Sequence, residues 1–315
     1  MEITIIGPGI MEIPPKGWGA VEILIHDYRR TLEGLGHKVN IINTKDRNEI
    51  IRIENSLSSD FVHLQYDDFI DVIPHLECPN IAATTHYGYL EQPERWGGYR
   101  NIFQKFVNSD VSIFCLSEGI KNIYMERYVD PSRLHVVPNG VSDDLFSFKE
   151  SPEFPDRSIY LAKIDYRKRQ HVVQHIPNLY FAGNLADNRF NRNSPQYLGE
   201  WSKEFLYKNL TDYANLILLS DGEAHPLVCL EAMSAGLGLV LSEAATANLD
   251  LQLPFIDVIP AEKMNDISYI SDVISSNREI SLTMRNEIRD YVVKNFSWKN
   301  IVTEHYLPKI KEAIG

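Results

Sequence analysis

Short apolar runs alternate with amphipathic segments along the whole chain. In the first half, runs of strand length occupy residues 3–7, 38–43, 61–66, 80–86 and 111–117. Helix-period segments separate them, and one of these segments carries a single apolar stripe made of Val21, Leu24, Ile25, Tyr28 and Leu32. Alternation of this kind predicts a parallel sheet with helices on both faces.

The same alternation restarts after a polar, proline-containing stretch at 147–158, which we interpret as a linker. Later strand-like runs lie at 159–164, 179–183, 196–200, 215–220 and 237–242. The final segment has Ser297 as an N-cap candidate and is predicted to be one terminal helix. Two similar α/β units in tandem are therefore expected.

Composition narrows the possible partners and compartments. The chain has 315 residues and a formal net charge of −12, which disfavours nucleic acid or an anionic membrane as the main partner. Its three cysteines are far apart and lack zinc-type spacing, as expected for a reduced intracellular protein. No basic leader precedes the first strand, and no apolar stretch approaches the roughly 20 residues that span a bilayer. We expect a cytoplasmic protein without a transmembrane segment, either free or peripheral at the membrane.

Several short motifs are too incomplete to define a site. Residues 7–9 supply two glycines of a dinucleotide fingerprint but not the third, which disfavours a nicotinamide or flavin site. The aspartate pairs at 67–68 and 143–144 lack the intervening residue of a D-x-D metal motif, and capping of a helix start is favoured for the second pair. His171 and His175 lack the glutamate of a zinc-protease helix. We predict no metal site.

Two loops have the composition of anion-binding loops. Gly17 and Gly19 flank the entry to the helix that contains Val21, where glycines allow backbone amides to approach an anion, although they could serve only the turn. Lys163 and Lys168 follow the first strand of the second unit, where open α/β sheets bind their ligands. We favour phosphate binding by these lysines over a solvated loop.

The stretch "SDGEAHPLVCLEAMSAG", residues 220–236, carries two glutamates around a helix entry. Pro226 suits the first helical turn, so Glu223 is predicted to lie in the preceding loop and Glu231 in the second turn. Free N–H groups at Leu227 and Val228 would lie between them. This order suits a ligand with hydroxyl groups at both ends and anionic charge in the middle, which describes a nucleotide sugar. Glu231 would accept from ribose hydroxyls and Glu223 from sugar hydroxyls.

At these residues the sequence resembles the family 4 retaining glycosyltransferases of the GT-B fold. Their hallmark is E-x7-E ahead of "EAM(A/S)xG", and Glu223 and Glu231 have this spacing, followed by "EAMSAG". Further similar stretches occur in the expected order over essentially the whole chain: "TTH" ending at His86, "CLSEGIK", "VVPNGVSDDLF" and a closing "FSW" helix.

The resemblance implies an α/β protein with two Rossmann-like domains that face each other across a cleft. The N-terminal, acceptor-side domain would comprise residues 1–150, completed by a terminal helix at 298–315 that crosses back to it. The C-terminal, donor-side domain would comprise residues 151–297. Members transfer a sugar with retention, without a metal or other cofactor, from a nucleoside-diphosphate donor of the UDP or GDP type to a sugar, lipid-linked or small-molecule acceptor.

Roles for individual residues also follow from the resemblance. It assigns Lys163 and Lys168 to the diphosphate, Glu231 to the ribose, Glu223 and His86 to the donor sugar, Gly17 and Gly19 to phosphate, and the loop around Gly199 to the nucleobase. One departure is Ala162 before Lys163 where the family has Gly-Arg, which keeps the charge and loses the planar guanidinium fork.

Two mechanisms and two other functions remain open from sequence. A retaining enzyme can form a glycosyl-enzyme intermediate or let the acceptor attack from the leaving-group face, and same-face attack is preferred here. A sugar-nucleotide epimerase can share the two-domain fold. A non-catalytic nucleotide-sugar binding protein is the alternative from a different class.

Overall fold

The computed structural model describes residues 1–16 and 19–314. The chain divides into two compact units, of which one is Met1–Gly140 with Trp298–Gly315 and the other is Val141–Ser297. Each unit is built on its own sheet, and every pairing between neighbouring strands in both sheets is parallel. The predicted fold class, α/β with two parallel sheets, is confirmed.

The first unit contains a six-stranded sheet in the order β2-β1-β3-β4-β5-β6. The strands are β1 (Glu2–Ile6), β2 (Lys38–Ile42), β3 (Phe61–Leu64), β4 (Ile81–Thr84), β5 (Ser112–Cys115) and β6 (Leu134–Val136). The helices are α1 (Ala20–Gly34), α2 (Arg47–Glu54), α3 (Tyr99–Asn108) and α4 (Glu118–Met125). Leu24, Ile25, Tyr28 and Leu32 of the predicted stripe on α1 are buried, so its apolar face packs into the core.

The second unit contains a five-stranded sheet in the order β11-β10-β9-β7-β8. The strands are β7 (Phe154–Leu161), β8 (Leu179–Ala182), β9 (Tyr213–Leu218), β10 (Gly238–Ser242) and β11 (Ile256–Ile259). The helices are α5 (Gln170–Val173), α6 (Lys203–Asn209), α7 (Leu227–Ser234), α8 (Ile267–Thr283) and α9 (Arg285–Phe296).

Both sheets follow one topology, in which the first strand of the unit lies between the second and the third. The chain therefore changes direction across the sheet between β1 and β3 in the first unit, and between β7 and β9 in the second. In open α/β sheets, the crevice at the carboxyl ends of the strands beside such a switch point is where ligands bind. The topology thus marks the loops after β7 and β9 before any side chain is considered.

Two assignments made from sequence are wrong. The polar stretch 147–158 is not simply a linker, because β7 begins at Phe154. The Phe154 ring contacts Tyr213 at 5.7 Å and lies beneath the Arg157 guanidinium at 4.2 Å, and Pro155 falls where the pairing with β9 is irregular. The run at 196–200 is not a strand: it makes one bridge, from Tyr197 to Phe181, and Gly199 has a left-handed φ of +77°.

The terminal segment is helical throughout but not uniform. It consists of α10 (Trp298–Asn300), a π-helical turn (Ile301–Tyr306) and α11 (Leu307–Ile314). Its apolar face, made of Val302, Tyr306, Leu307 and Ile310, is buried. The indole N–H of Trp298 donates to Asp27 on α1 at 3.1 Å, so this segment belongs to the core of the first unit. Among the described residues, no helix combines the length and hydrophobicity needed to cross a bilayer.

Arg285 fixes the end of α7 from the neighbouring helix α9. Its guanidinium is 2% exposed and donates to the carbonyl groups of Lys149 at 2.7 Å, Thr211 at 2.7 Å, Tyr213 at 3.0 Å and Ala235 at 3.0 Å. Ala235 follows the last residue of α7, where a cation also complements the helix dipole. The arginine therefore satisfies backbone groups that would otherwise be buried without a donor.

We expect Arg285→Met to lower the free energy of unfolding by about 3 kcal/mol or more, because each buried acceptor left unsatisfied costs roughly 1–3 kcal/mol. Urea denaturation followed by circular dichroism measures the change. The matched control is Arg192→Met at an exposed arginine, which we expect to change stability by about 0.5 kcal/mol or less. Equal stability of the two variants would contradict a structural role for Arg285.

Candidate functional site

The loops after β7 and β9 in the second unit are joined by backbone and side-chain contacts. The Asp221 N–H donates to the Arg167 carbonyl at 2.9 Å, and the Arg167 guanidinium donates to the Gly222 carbonyl at 3.2 Å. An ion pair between Arg169 and Asp221, at 3.5 Å, adds a third link. The two loops that flank the topological switch point therefore form one polar cluster.

Tyr160 of β7 connects the two loops of this cluster through its hydroxyl group. Its side chain is fully buried, its hydroxyl group donates to the carbonyl of Lys168, and the same hydroxyl accepts the N–H of Leu219 at 2.8 Å. Since Leu219 directly follows β9, one phenol connects the turn that carries Lys168 to the end of the adjacent strand. This role was not apparent from the sequence, because Tyr160 looks like any other apolar strand residue in "IYLAKI".

Lys168 and Glu223 form an ion pair at the centre of the cluster. The ammonium group of Lys168 contacts Oε1 of Glu223 directly, and the two side chains are only 11% and 12% exposed. These residues were predicted from sequence to bind the phosphate and the sugar of one ligand, and the structure brings them together. Lys163 takes no part in this pair: its side chain is exposed, without an ion-pair partner among the described residues, and its carbonyl accepts from Gln170 at 2.9 Å.

The helix that follows Glu223 begins just after Pro226. Pro226, which was predicted to lie in the first helical turn, is the N-cap of α7, and Leu227 and Val228 are the first two residues of the helix. Their N–H groups belong to the first turn, which has no intrahelical acceptors. Glu231 lies in the second turn, as predicted.

Glu231 has a cationic partner that sequence analysis missed. Its Oε1 lies 3.3 Å from Nζ of Lys203, the first residue of α6, and the side chains are 15% and 25% exposed. The available signal was Ser202, which caps α6 through the N–H of Phe205 and thereby indicates where the helix starts. Nothing in the local sequence, however, indicated that α6 lies beside α7.

The loop containing Gly199 lies against the loop that follows β8. The Gly183 N–H donates to the Gly199 carbonyl at 2.9 Å, and Asn184 donates to Glu200 at 3.1 Å. Gly183 is required sterically, because a Cβ there would lie 1.9 Å from the Ala162 carbonyl oxygen. The assignment of Gly199 to a nucleobase stays a prediction.

In the first unit, the predicted glycine loop follows β1 and leads into α1. Gly17 lies outside the described residues. Gly19 is the N-cap of α1, with a φ of +134° that L side chains rarely adopt, and a Cβ there would lie 3.0 Å from both Glu22 and Met11. Its conformation therefore explains why glycine is present, and its predicted contact with phosphate stays a prediction.

His86 lies two residues after β4 and is held by Gln65 and Asp67. Its Nε2 is 2.7 Å from Oε1 of Gln65, and its backbone N–H donates to Asp67 at 3.4 Å. Burial lowers the pKa of His86 to about 4, so the ring is neutral at pH 7 and is not an imidazolium that could act as a general acid. Gln65 and Asp67 were not recognised as partners of His86 from sequence.

The aspartates considered earlier have other partners. The Tyr99 hydroxyl donates to Asp67 at 2.6 Å, and Asp143 begins a short 3-10 turn. Within the described part of the chain, no group of three or more His, Cys, Asp and Glu side chains is arranged to hold a metal ion.

Comparison with known proteins identifies the fold. No family model matches the sequence, and no curated protein is detectably similar to it in sequence. Among solved structures, the chain is similar to sucrose-phosphate synthase from Thermosynechococcus elongatus, with a TM-score of 0.76, 14% identity and coverage of 99% of this chain and 98% of that one. HepE from Anabaena in complex with UDP-glucose gives a TM-score of 0.71 at 13% identity, with 99% of each chain covered. The lipopolysaccharide outer core galactosyltransferase WaaB gives 0.68 at 16% identity, covering 100% of this chain and 99% of that one.

These similarities extend over both units and show that the chain has the GT-B fold. At such low sequence identity they show the fold alone.

Proposed function

We propose that the protein is a glycosyltransferase that moves a sugar from a nucleoside-diphosphate donor to an acceptor hydroxyl group. The observation that carries the proposal is the Lys168–Glu223 pair, which lies at the switch point of the second sheet and immediately before the first turn of α7. A cation, a carboxylate and free helix N–H groups are thereby presented together. This combination suits a ligand with a diphosphate beside hydroxyl groups.

The proposed donor would be bound mainly by residues of the second unit. Lys168 and the N–H groups of Leu227 and Val228 would contact the diphosphate, and Glu231 would accept from the ribose hydroxyls one turn further along α7. Lys203 lies 3.3 Å from Oε1 of Glu231 and orients the carboxylate, which supports its use as an acceptor. UDP-glucose is the first donor to test, since HepE, which is similar in fold, has been crystallised with it.

The proposed catalysis is electrostatic. As the glycosidic bond breaks, negative charge grows on the departing diphosphate, and a preorganised ammonium group stabilises that charge in a partly desolvated site. Lys168 is suitably buried for this role, whereas the exposed Lys163 would contribute at longer range. With a lysine and helix N–H groups supplying positive charge, the proposed transfer needs no divalent metal.

We further propose that transfer proceeds with retention, by attack of the acceptor on the leaving-group face. A covalent intermediate would require a carboxylate free to attack the sugar from the opposite face. Glu223 is instead engaged by the ammonium of Lys168, which lowers its nucleophilicity and orients it for hydrogen bonding. Its proposed role is to hold hydroxyl groups of the donor sugar.

A thermal-shift panel of UDP, GDP, ADP and their sugars tests the proposed donor class. A matching nucleotide at 100 times its dissociation constant should stabilise the protein by about 2.7 kcal/mol. Turnover of the stabilising donor is then followed by chromatography with candidate acceptors. Transfer or donor hydrolysis supports the proposal, an epimerised donor indicates an epimerase, and tight binding without turnover indicates a binding protein.

Metal independence is tested with the same donor. We expect the transfer rate to be unchanged in excess EDTA, because Lys168 and the first turn of α7 carry the positive charge at the diphosphate. Loss of activity in EDTA that magnesium or manganese restores would contradict this part of the proposal.

Replacing each of the two glutamates by alanine should impair a different property, nucleotide affinity in one variant and the transfer rate in the other. Glu231→Ala removes a charged hydrogen-bond acceptor worth roughly 1.5–3 kcal/mol, so affinity for the bare nucleoside diphosphate should fall about tenfold or more. Glu223→Ala leaves Lys168 free for phosphate, so nucleotide affinity should stay constant or increase while the transfer rate falls.

Calorimetry with the nucleoside diphosphate alone and transfer rates with the intact donor separate these effects. Glu204→Ala on the exposed surface of α6 is the matched control, and we expect it to alter neither quantity. Equal loss of nucleotide affinity in Glu223→Ala and Glu231→Ala would show that the two carboxylates do not bind different ends of the donor.

A further inference from the structure

A continuous chain of hydrogen bonds leads from His86 into the core of the first unit. Oε1 of Gln65 lies 2.7 Å from Nε2 of His86, and Nε2 of Gln65 lies 3.2 Å from Nδ1 of His63. The other ring nitrogen of His63 is 2.8 Å from the hydroxyl group of Thr84, and the Tyr306 hydroxyl lies 3.1 Å from Nδ1. Gln65, His63, Thr84 and Tyr306 are each at most 3% exposed.

The chemistry of the glutamine side chain determines which atoms donate and which accept along this series of hydrogen bonds. A carboxamide oxygen can only accept a hydrogen bond, and the amide nitrogen can only donate. With the amide oxygen of Gln65 facing His86, the proton of His86 lies on Nε2, where it donates to Gln65. His63 accepts from the amide of Gln65 on Nδ1 and carries its own proton on Nε2, which donates to Thr84. In this arrangement, the amide of Gln65 and the hydroxyl group of Tyr306 share the single lone pair on Nδ1 of His63.

We propose that Gln65 is a positioning residue that fixes His86 in the tautomer with its proton on Nε2, so that the unprotonated Nδ1 accepts a hydrogen bond from a substrate hydroxyl group. Among the described residues, Nδ1 of His86 has no hydrogen-bond partner, so it remains available for a ligand. The role toward substrate rests on the proposed transferase function, whereas the tautomer does not.

Burial favours a neutral His86 ring. Burial lowers the pKa of His86 to about 4 and that of His63 to about 3, so neither imidazole is protonated at pH 7. Asp67 is a further titratable group beside His86, since it accepts the backbone N–H of His86 and the Tyr99 hydroxyl. Burial raises the pKa of Asp67 to about 6. Asp67 is present in the wild type and in every variant at position 65, so the variants are compared against the same neighbouring carboxyl group.

Nitrogen NMR of the histidine-labelled free protein tests the tautomer directly, because protonated and unprotonated ring nitrogens have different chemical shifts. We expect the wild-type protein to show the His86 proton on Nε2. Gln65→Met removes the acceptor at similar side-chain length, and the preference for this tautomer should be lost. A wild-type proton on Nδ1, or an unchanged tautomer in Gln65→Met, would overturn the proposal whether or not any donor is turned over.

Kinetics test the consequence for transfer. In Gln65→Met, kcat should fall about tenfold, which corresponds to one misplaced hydrogen bond in the transition state, while the dissociation constant of the nucleoside diphosphate changes less than about twofold. Gln174→Met in the second unit is the matched control. Gln174 donates through its amide to the carbonyls of His171 and Arg189 rather than to a histidine ring, and we expect its loss to change neither quantity. A kcat equal to wild type in Gln65→Met would rule out the positioning role.

Gln65→Glu supplies a readout that a purely structural role would not produce. A carboxylate at this position raises the pKa of His86, and protonated His86 has no lone pair on Nδ1. Transfer by Gln65→Glu should therefore be suppressed below the raised pKa and recover as the pH rises above it. The wild-type rate should lack this step, and identical pH profiles for the two proteins would count against the proposal.

Discussion

The hydroxyl group of Tyr160 is the contact on which the geometry of the candidate site depends. It donates to the carbonyl of Lys168 and accepts from the N–H of Leu219, so it joins two loops that are far apart in sequence. Because the phenol is fully buried, both contacts are protected from competition by water. The backbone of both loops is therefore restricted where Lys168 and Glu223 make contact. The entropic cost of ordering the loops arises during folding, so it does not reduce the free energy of ligand binding.

Three acidic side chains in or beside this cluster each lie next to a cationic side chain. Glu223 contacts Lys168, Glu231 lies 3.3 Å from Lys203, and Asp221 lies 3.5 Å from Arg169. In a chain with a net charge of −12, such local compensation matters, because uncompensated carboxylates would repel a diphosphate. An anionic ligand that binds here can replace a carboxylate as the partner of a cationic side chain. It does not have to approach a surface that carries only negative charge.

Local pattern was sufficient to predict α7 and the position of Glu231 in its second turn, because a proline, an apolar run and the spacing of the glutamates all lie within one short segment. It was insufficient for β6 and β11, which are three and four residues long and give no clear periodicity. The partners Lys203, Gln65 and Tyr160 were missed for another reason. Each acts through a residue brought close only by tertiary packing, as with Lys203 and Glu231, which are 28 residues apart.

The return of the last helical segment to the first unit has a consequence for synthesis on the ribosome. The Tyr306 ring packs 4.8 Å from Tyr28 and 5.3 Å from His63, so the first core is incomplete until the end of the chain has emerged. The ribosome makes all of Val141–Ser297 after the first part of this unit and before its last segment. At a synthesis rate of roughly 5–20 residues per second, completion of the first core is delayed by on the order of ten seconds. A nascent chain released before Trp298 would therefore carry a finished second unit beside a first unit that still exposes the ring of Tyr28, a surface that chaperones could recognise.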